Sequence, residues 1–535
     1  MQQRYDVVVL GAGIGGAVLG AVLARQGRKV AIVDKTPHPR FAVGESTIPY
    51  TTQALAVLSE LFDVPELFPR AIREAVGRTC GVKRHFGYVY HRPGEVAKAD
   101  EVSMVWLGEP EFHFFRQDVD AYLFHTAVRY GVDPVIGVGI QDVQTDAAGA
   151  VVRLDDGREL HAGFVVDGTG HGSVLSKRHG LRMEDPELRT HTRTLFTHMI
   201  GLKPFDAVLP QHEHRMPGPL HQGTLHHVFD GGWFWVIPFD NHDESSNPLV
   251  SVGLQIDCRR WPYRKEVSAE EEFRSFVAMF PSVAEQFAEA KAVRPWVSTP
   301  RLQFASRGAT GQRWALLPHA YGFIDPLYSR GLSFTLDGVK ALAVALLDAG
   351  DDLGAVDLST LDTDYRRMLD AHDDLVFGSL VSWKDAELWK TWWYVWVLSA
   401  ITEFFPMLAR HQWHSTGDAA LMRSVDHYPA TSVPGYDAYM KAAVAIMQRV
   451  DRGELGTAEA NAELLALTRA QSFHYEPVMA HLLSSRACTP PSWLWNAPSL
   501  AKFAHWVATQ ASDEVRELIM PFVKGRVFRY AYTTV

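Results

Sequence analysis

The stretch from Tyr5 to Asp34 constrains the fold more than any other part of the chain. An apolar run, Tyr5-Asp-Val-Val-Val-Leu10, meets the glycine turn Gly11-Ala-Gly-Ile-Gly-Gly16. Residues 14–26 are small and apolar at helical spacing and stop at Gly27, and Lys29-Val-Ala-Ile-Val-Asp34 is a second strand of buried type that ends in an acid. Strand, glycine turn, helix, strand and acid in that order specify a βαβ unit with a pyrophosphate site. Gly11 permits the tight turn, Gly13 lets backbone approach the pyrophosphate, and Gly16 lets the helix lie close on the strand. The helix N-terminus supplies N–H groups and partial positive charge for phosphates. Asp34 is placed to accept a hydrogen bond from a ribose hydroxyl, which disfavours a 2′-phosphate. A GxGxxG alone is a weak signal; with its strand, helix and acid it predicts nucleotide binding.

A chain of 535 residues can hold several such units, and 47% hydrophobic with 21% charged residues is ordinary for a globular protein. The net charge of −10 gives no footprint for nucleic acid. Cys80, Cys258 and Cys488 form no CxxC pair, which excludes a disulfide framework and a cysteine zinc site and fits a reducing cytoplasm. The N-terminus runs directly into a strand without the features of a signal peptide. The most apolar stretch, Thr391 to Phe405, is shorter than the ~20 residues of a spanning helix, so a buried helix is expected and no membrane partner. His221, His226, His227, His411 and His414 have no HExxH or carboxylate triad beside them, and no metal is expected. Strand-like runs such as Leu249 to Ile256 fall between 185 and 300, and from about 346 the pattern turns helical. Monomer and homodimer stay open.

Six further strings stand out: RFAVGESTIP (40–49), GVKRHFGYVYH (81–91), FFRQDVDAYLFHTAVRYG (114–131), FVVDGTG (164–170), GGWFWVIPF (231–239) and GFIDPLYSRG (322–331). With the glycine turn they resemble the flavin-dependent halogenases over most of the chain, nearest to the phenol-directed, chlortetracycline-type group. The glycine motif is common to many enzymes; WxWxIP with the lysine segment and the DPLxSxG-like loop is far more specific. The resemblance implies an α/β fold: an FAD-binding, glutathione-reductase-like nucleotide domain of the aromatic hydroxylase type, with an inserted β-sheet substrate region and a helical C-terminal domain. The expected division is a discontinuous 1–345, with its substrate-side sheet from about 76–114 and 185–300, and a specificity region 346–535.

In that family reduced FAD (FADH2) and O2 convert chloride or bromide to hypohalous acid, which passes along a tunnel to a lysine beside the substrate. By position that catalytic lysine is Lys83. A lysine suits the task because its N–H groups can hold and polarise hypohalous acid, and burial makes the neutral, halogenatable amine accessible; the sequence leaves the two forms open. The resemblance puts Gly11, Gly13, Gly16, Asp34, Arg40, Gly44, Glu45, Ser46, Thr47, Ile48, Arg116, Asp325, Pro326 and Gly331 at FAD. Halide is expected at the amides of Arg330 and Gly331, where a helix N-terminus begins. Trp233 and Trp235 share one face of a strand and with Ile237 and Pro238 are expected to wall the tunnel. No second complete GxGxxG unit is present, so a separate flavin reductase is the expected source of FADH2.

The chain departs from the family in three places. Tyr328 stands where tryptophan-directed members carry glutamate, which points to an activated phenol instead of tryptophan. Arg330 occupies a position often filled by threonine or serine, and either holds halide or pairs with Glu45. His319 replaces the aspartate of a GDA string, which implies weaker flavin binding. Five tryptophans between Trp383 and Trp396 are helix packing or the flat lining of a polycyclic substrate site. The substrate is therefore expected to be a small, electron-rich aromatic, free or carrier-tethered. Two rival readings stand beside this one: an aromatic hydroxylase, which needs neither WFWVIP nor Lys83, and a degenerate flavin-binding partner protein.

Overall fold

The computed structural model describes residues 4–400, 435–488, 497–511, 513 and 516. Its first sheet grows from the βαβ unit. Arg4–Leu10 lies between Val30–Asp34 and Glu159–Asp167, parallel to both; Trp314–Leu316 and Asp133–Ile136 extend the parallel order on either side. Ala150–Leu154 and Ile140–Thr145 add an antiparallel hairpin. Such apolar parallel strands need cover on both faces. Helix Ile14–Arg25 supplies part of it, packed against helices Arg116–Arg129 and Gly331–Asp348.

Among the described residues the second sheet has nine strands, drawn from 81–113, 192–298 and the C-terminal region. Gly81–His91, the lysine strand, runs parallel to Thr224–Phe229 and antiparallel to Val102–His113. Gly232–Pro238, the tryptophan strand, lies between Thr224–Phe229 and Val250–Asp257, with Thr192–Ile200 beyond. Alternation divides the two faces. Phe86, Tyr88, Tyr90, Trp233 and Trp235 join the core that includes the nucleotide sheet. Val89, Val102, Met104, Phe234, Val236 and Leu254 face the other way, toward helices Ala269–Ala278 and Pro281–Gln286.

Helices Leu361–Ser382, 386–400, Tyr436–Asp451, Thr457–Arg469 and Glu476–Ser485 follow. A short strand unforeseen in the sequence, Ala487–Cys488, pairs with Met104 and Val105 at the sheet edge. The apolar run from Thr391 is helical to residue 400 and buried from Thr391 to Ser399; residues 401–405 lie outside the described residues, as do His411 and His414. Among the described residues no helix is long and apolar enough to cross a membrane, and no group of three or more histidine, cysteine or acidic residues is placed to hold a metal.

Candidate active site

The glycine turn is shaped by two close approaches and one gap. A Cβ on Gly11, at φ +99°, would lie 2.7 Å from the Gly168 carbonyl oxygen, and one on Gly16 would lie 2.0 Å from that of Gly11. On Gly13 it would meet only the Arg40 guanidinium, at 4.0 Å. The space over Gly13 is thus open to a ligand, beside a cation and at a helix N-terminus, which fits a pyrophosphate. Asp34 accepts from the amides of Ala12 (2.7 Å) and Thr36 (2.9 Å) and pairs with Arg40 at 2.6 Å. Burial alone would raise its pKa, but Arg40 and the two amides outweigh burial and hold the carboxyl below its ordinary value.

Residues 40–48 form a loop strapped across both sheets. Arg116 holds it: its guanidinium forms a bidentate pair with Asp120 (2.6 and 2.9 Å) and donates to the carbonyls of Val43 (2.6 Å) and Gly44 (3.2 Å). Arg116, expected near the flavin or its phosphates, thus anchors the loop, with its charge balanced by Asp120. Glu45 is buried and bonded to His198 Nε2 at 2.9 Å, so it does not pair with Arg330. The Thr47 amide donates to the Phe112 carbonyl (3.1 Å), Ser46 bridges to His113, and Ile48 caps helix Pro49–Leu61.

The 325–331 loop divides in function. Asp325, expected at the cofactor, is buried and accepts from the Leu327 amide (3.0 Å), Gln255 (2.8 Å) and Thr192 (3.3 Å). Burial pushes its carboxyl up to about 7 against those bonds. The loop is thereby anchored to the second sheet, with Pro326 accepting from the Ser329 amide. Arg330 directs its guanidinium to Ser399 (3.3 Å), toward the C-terminal helices. The backbone at Arg330 and Gly331, where helix Gly331–Asp348 begins, is suited to an anion. His319 packs onto that helix start; burial pushes its imidazole down to about 4, so it is neutral where an aspartate was expected.

Lys83 reaches the meeting point of the two loops. Strict alternation would put it on the face opposite Phe86, but the pairing is irregular between Lys83, opposite Glu111, and His85, opposite Trp106. The irregularity turns the lysine, which is fully buried, onto the Phe86 side, with Nζ 3.4 Å from the ring centroid. Nζ donates to Ser46 Oγ and the Thr47 carbonyl, both at 2.8 Å, and at 3.4 Å to Ser329 Oγ. Ser329 sits at φ +55°, a left-handed conformation that costs a non-glycine residue about 1–2 kcal/mol and here aims its hydroxyl into the site. Burial drives the Lys83 pKa well below its ordinary value, with Glu111 pulling the other way. Burial raises Glu111 to about 7, although the hydroxyls of Thr52 (2.8 Å) and Thr47 (3.2 Å) donate to it. The imidazoles nearby, His85 at about 4 and His113 and His226 at about 3, are held neutral by burial. In this setting burial favours the neutral amine, and the hydrogen bonds hold its N–H donors in place.

Trp233 and Trp235 lie side by side, centroids 5.7 Å apart, and Trp233 faces His226 at 5.3 Å. Gly253 makes room for Trp235: a Cβ there would lie 2.1 Å from the indole. Ile237 is buried, and the Pro238 carbonyl accepts from His113 Nδ1 at 2.9 Å. His226 stacks on Tyr88 (4.4 Å), and Trp396 of helix 386–400 stacks on Tyr328 (4.8 Å) and meets Phe86 and Tyr88 edge-on. Aromatic side chains thus line the lysine's side of the sheet, closed over by the C-terminal helices. The Tyr328 hydroxyl is bonded to Ser379. Trp392 is packing: its Nε1 donates to the Leu375 carbonyl and its ring fills the space left by Gly378.

Glu111, His113, Thr224 and Ser329 belong to the site although none was among the expected site residues. Ser329 is the serine of the DPLxSxG-like loop and His113 borders the string that starts at Phe114; Glu111 and Thr224 carry no local signal.

The tryptophan halogenase family matches residues 95–393, and an NAD(P)-binding Rossmann-like domain matches residues 9–56. The chain is 37% identical over 531 residues to tetracycline 7-halogenase of Kitasatospora aureofaciens, covering 96% of this chain and 95% of that protein. It is 38% identical over 418 residues to monodechloroaminopyrrolnitrin halogenase PrnC of Pseudomonas fluorescens, covering 76% and 73%. The crystal structure of halogenase PltM in complex with phloroglucinol and FAD superposes with a TM-score of 0.86 at 32% identity, over 91% of this chain and 100% of that one.

Proposed function

Because the chain belongs to the tryptophan halogenase family and is a flavin-dependent halogenase that uses FADH2, O2 and halide, we propose that Lys83 is its transfer residue and an electron-rich phenol its substrate. The observation that carries the reading is the burial of Lys83 Nζ against both loops, 2.8 Å from Ser46 and from the Thr47 carbonyl and 3.4 Å from Ser329. The flavin, held by the Gly11–Gly16 turn, Asp34, Arg40 and the loop at 44–48, supplies the oxidation of halide. The backbone at Arg330 and Gly331 takes the halide. The indoles of Trp233 and Trp235 and the side chains of Ile237 and Pro238 keep the organic ring from the flavin, so oxidised halogen crosses and the ring does not. Lys83 then holds that halogen through its N–H groups or accepts it on the neutral amine. Desolvation favours the second form.

Tyr328 supports the phenol assignment: it stands where tryptophan-directed members carry glutamate, and its hydroxyl is committed to Ser379. The tetracycline and phloroglucinol named for two relatives are both phenolic. A separate reductase delivers FADH2, as is general in the family, and the ring is bound under Trp389 and Trp396. The test supplies the protein with a flavin reductase, NADH, oxygen, chloride or bromide and a panel of phenols, with products read by mass. Halogenated phenol that disappears in Lys83→Ala while peroxide release continues is the expected result. Oxygen insertion independent of halide would instead make the protein a hydroxylase, and reduced protein that consumes no oxygen would make it a binding partner.

A further inference from the structure

Lys83 stands at one end of an unbroken series of hydrogen bonds that the family motifs do not predict. Nζ lies 2.8 Å from Ser46 Oγ, Ser46 Oγ 2.7 Å from Thr224 Oγ1, and Thr224 Oγ1 3.1 Å from His113 Nε2. His113 Nδ1 lies 2.9 Å from the carbonyl oxygen of Pro238, the proline that closes WFWVIP. All four side chains are buried.

The proline carbonyl sets the sense of the whole series. A carbonyl can only accept, so Nδ1 carries the proton, and in a neutral imidazole Nε2 is then an acceptor. Thr224 has one proton and gives it to Nε2, which leaves its oxygen to accept from Ser46. Ser46 gives its proton to Thr224 and turns its lone pairs toward Lys83 and toward Ser329, whose hydroxyl donates to it at 3.0 Å. Burial pushes His113 down to about 3, so the neutral form, and with it this direction, holds throughout the working pH range.

We propose that His113 and Thr224 are positioning residues for halogen transfer, and that through Ser46 they fix which way the hydrogens on Lys83 point. Two N–H bonds of the amine are committed to Ser46 Oγ and the Thr47 carbonyl at 2.8 Å, and the third direction of Nζ, toward Ser329 Oγ at the longer 3.4 Å, is the one that meets the oxidised halogen. The inference rests on the assignment of Lys83 made above. It also gives the end of the WxWxIP string a task apart from walling a tunnel: the carbonyl of Pro238 orients the lysine from four hydrogen bonds away.

The test compares Thr224→Val, which keeps the shape and removes the hydroxyl, His113→Asn, and the double variant, in the full protein with reductase, chloride and a phenol. Each single change is expected to lower kcat about tenfold, with the KM for phenol and the rate of peroxide release unchanged. The double variant is expected to lose no more than the worse single, because residues acting as one unit are not additive. With the series cut, Ser46 can donate to Nζ and stabilise the free amine, so the limb of the pH profile governed by Lys83 moves to lower pH. The groups facing Lys83 (His85, Glu111, His113 and His226) are otherwise untouched in Thr224→Val. Additive losses, or an unmoved limb, overturn the proposal. Lys83→Met separates the two assignments: chlorination abolished there but intact in Thr224→Val overturns the relay alone, and chlorination surviving Lys83→Met overturns the lysine assignment beneath it.

Discussion

The glycine turn and the lysine junction are two binding regions built on opposite plans. The turn is made of some thirty consecutive residues and offers a ligand backbone atoms, so the spacing of its glycines is the whole instruction. The junction is made of side chains from segments 46–47, 83, 111–113, 224 and 329, which only the crossing of two sheets brings together. Backbone sites tolerate side-chain change and fail when space is filled. Side-chain sites fail when one atom is removed. The sharpest way to break this contrast is Lys83→Ala: halogenation should fall by about 10³-fold, within the range seen for positioned acid–base groups, while flavin affinity stays unchanged. A comparable loss of flavin binding would mean the two regions are one.

Space-filling changes come next, one in each region. Gly16→Ala would put a methyl 2.0 Å from the Gly11 carbonyl oxygen, and Gly253→Ala would put one 2.1 Å from the Trp235 indole. Each should cost about 1–3 kcal/mol of stability, as overpacking does, read as a lower denaturation midpoint. Their second effects should differ: Gly16→Ala weakens flavin binding, and Gly253→Ala raises the fraction of peroxide released without halogenated product. Gly13→Ala sharpens the contrast within the turn. Its methyl would enter open space 4.0 Å from Arg40, so the flavin-free protein should melt unchanged, while flavin affinity falls about tenfold, ~1.4 kcal/mol. A drop in melting temperature for the flavin-free variant would show that the gap over Gly13 is structural.

The same contrast explains what could be read without coordinates. The βαβ unit, the helix after Gly331 and the strand nature of WFWVIP follow from local periodicity, and the expected ranges match the observed ones closely. Lys83 was legible through its resemblance to a family segment, but its orientation was not. Alternation would have turned it away from Phe86, and the irregularity opposite Glu111 that reverses it depends on how residues 106–111 pair. Glu111, Thr224 and His113 were silent because a buried carboxyl, hydroxyl or imidazole gains meaning only from its partner, which here lies on another strand or loop. The protein partners of Arg116 and Asp325 were silent for the same reason. Their charges pointed to a ligand, and the fold answers them with Asp120, Gln255 and Thr192.

The smallest effect tests the electrostatics of the junction itself. His113 and Glu111 are two residues apart on one strand, yet burial shifts them in opposite directions, to about 3 and about 7. A histidine whose folded pKa lies below its unfolded 6.5 contributes stability that is present above pH 6.5 and lost as pH falls toward 3. A carboxyl raised from 4.5 to 7 contributes stability that is present below pH 4.5 and lost as pH rises to 7. His85, His226, His227, His319 and His372, each pushed down to about 3 or 4, act with His113. The imidazoles outnumber Glu111 and Asp325, the two buried carboxyls raised to about 7, so the melting temperature should fall between pH 7 and pH 5. Removing one member from each side tests the signs. The fall should be smaller in His113→Asn and larger in Glu111→Gln, each by on the order of one or two degrees. Equal slopes in the two variants would mean that water reaches the junction and that burial does not set the state of Lys83; the neutral amine would then lose its physical cause, and the N–H-bound form of hypohalous acid would be the one to pursue.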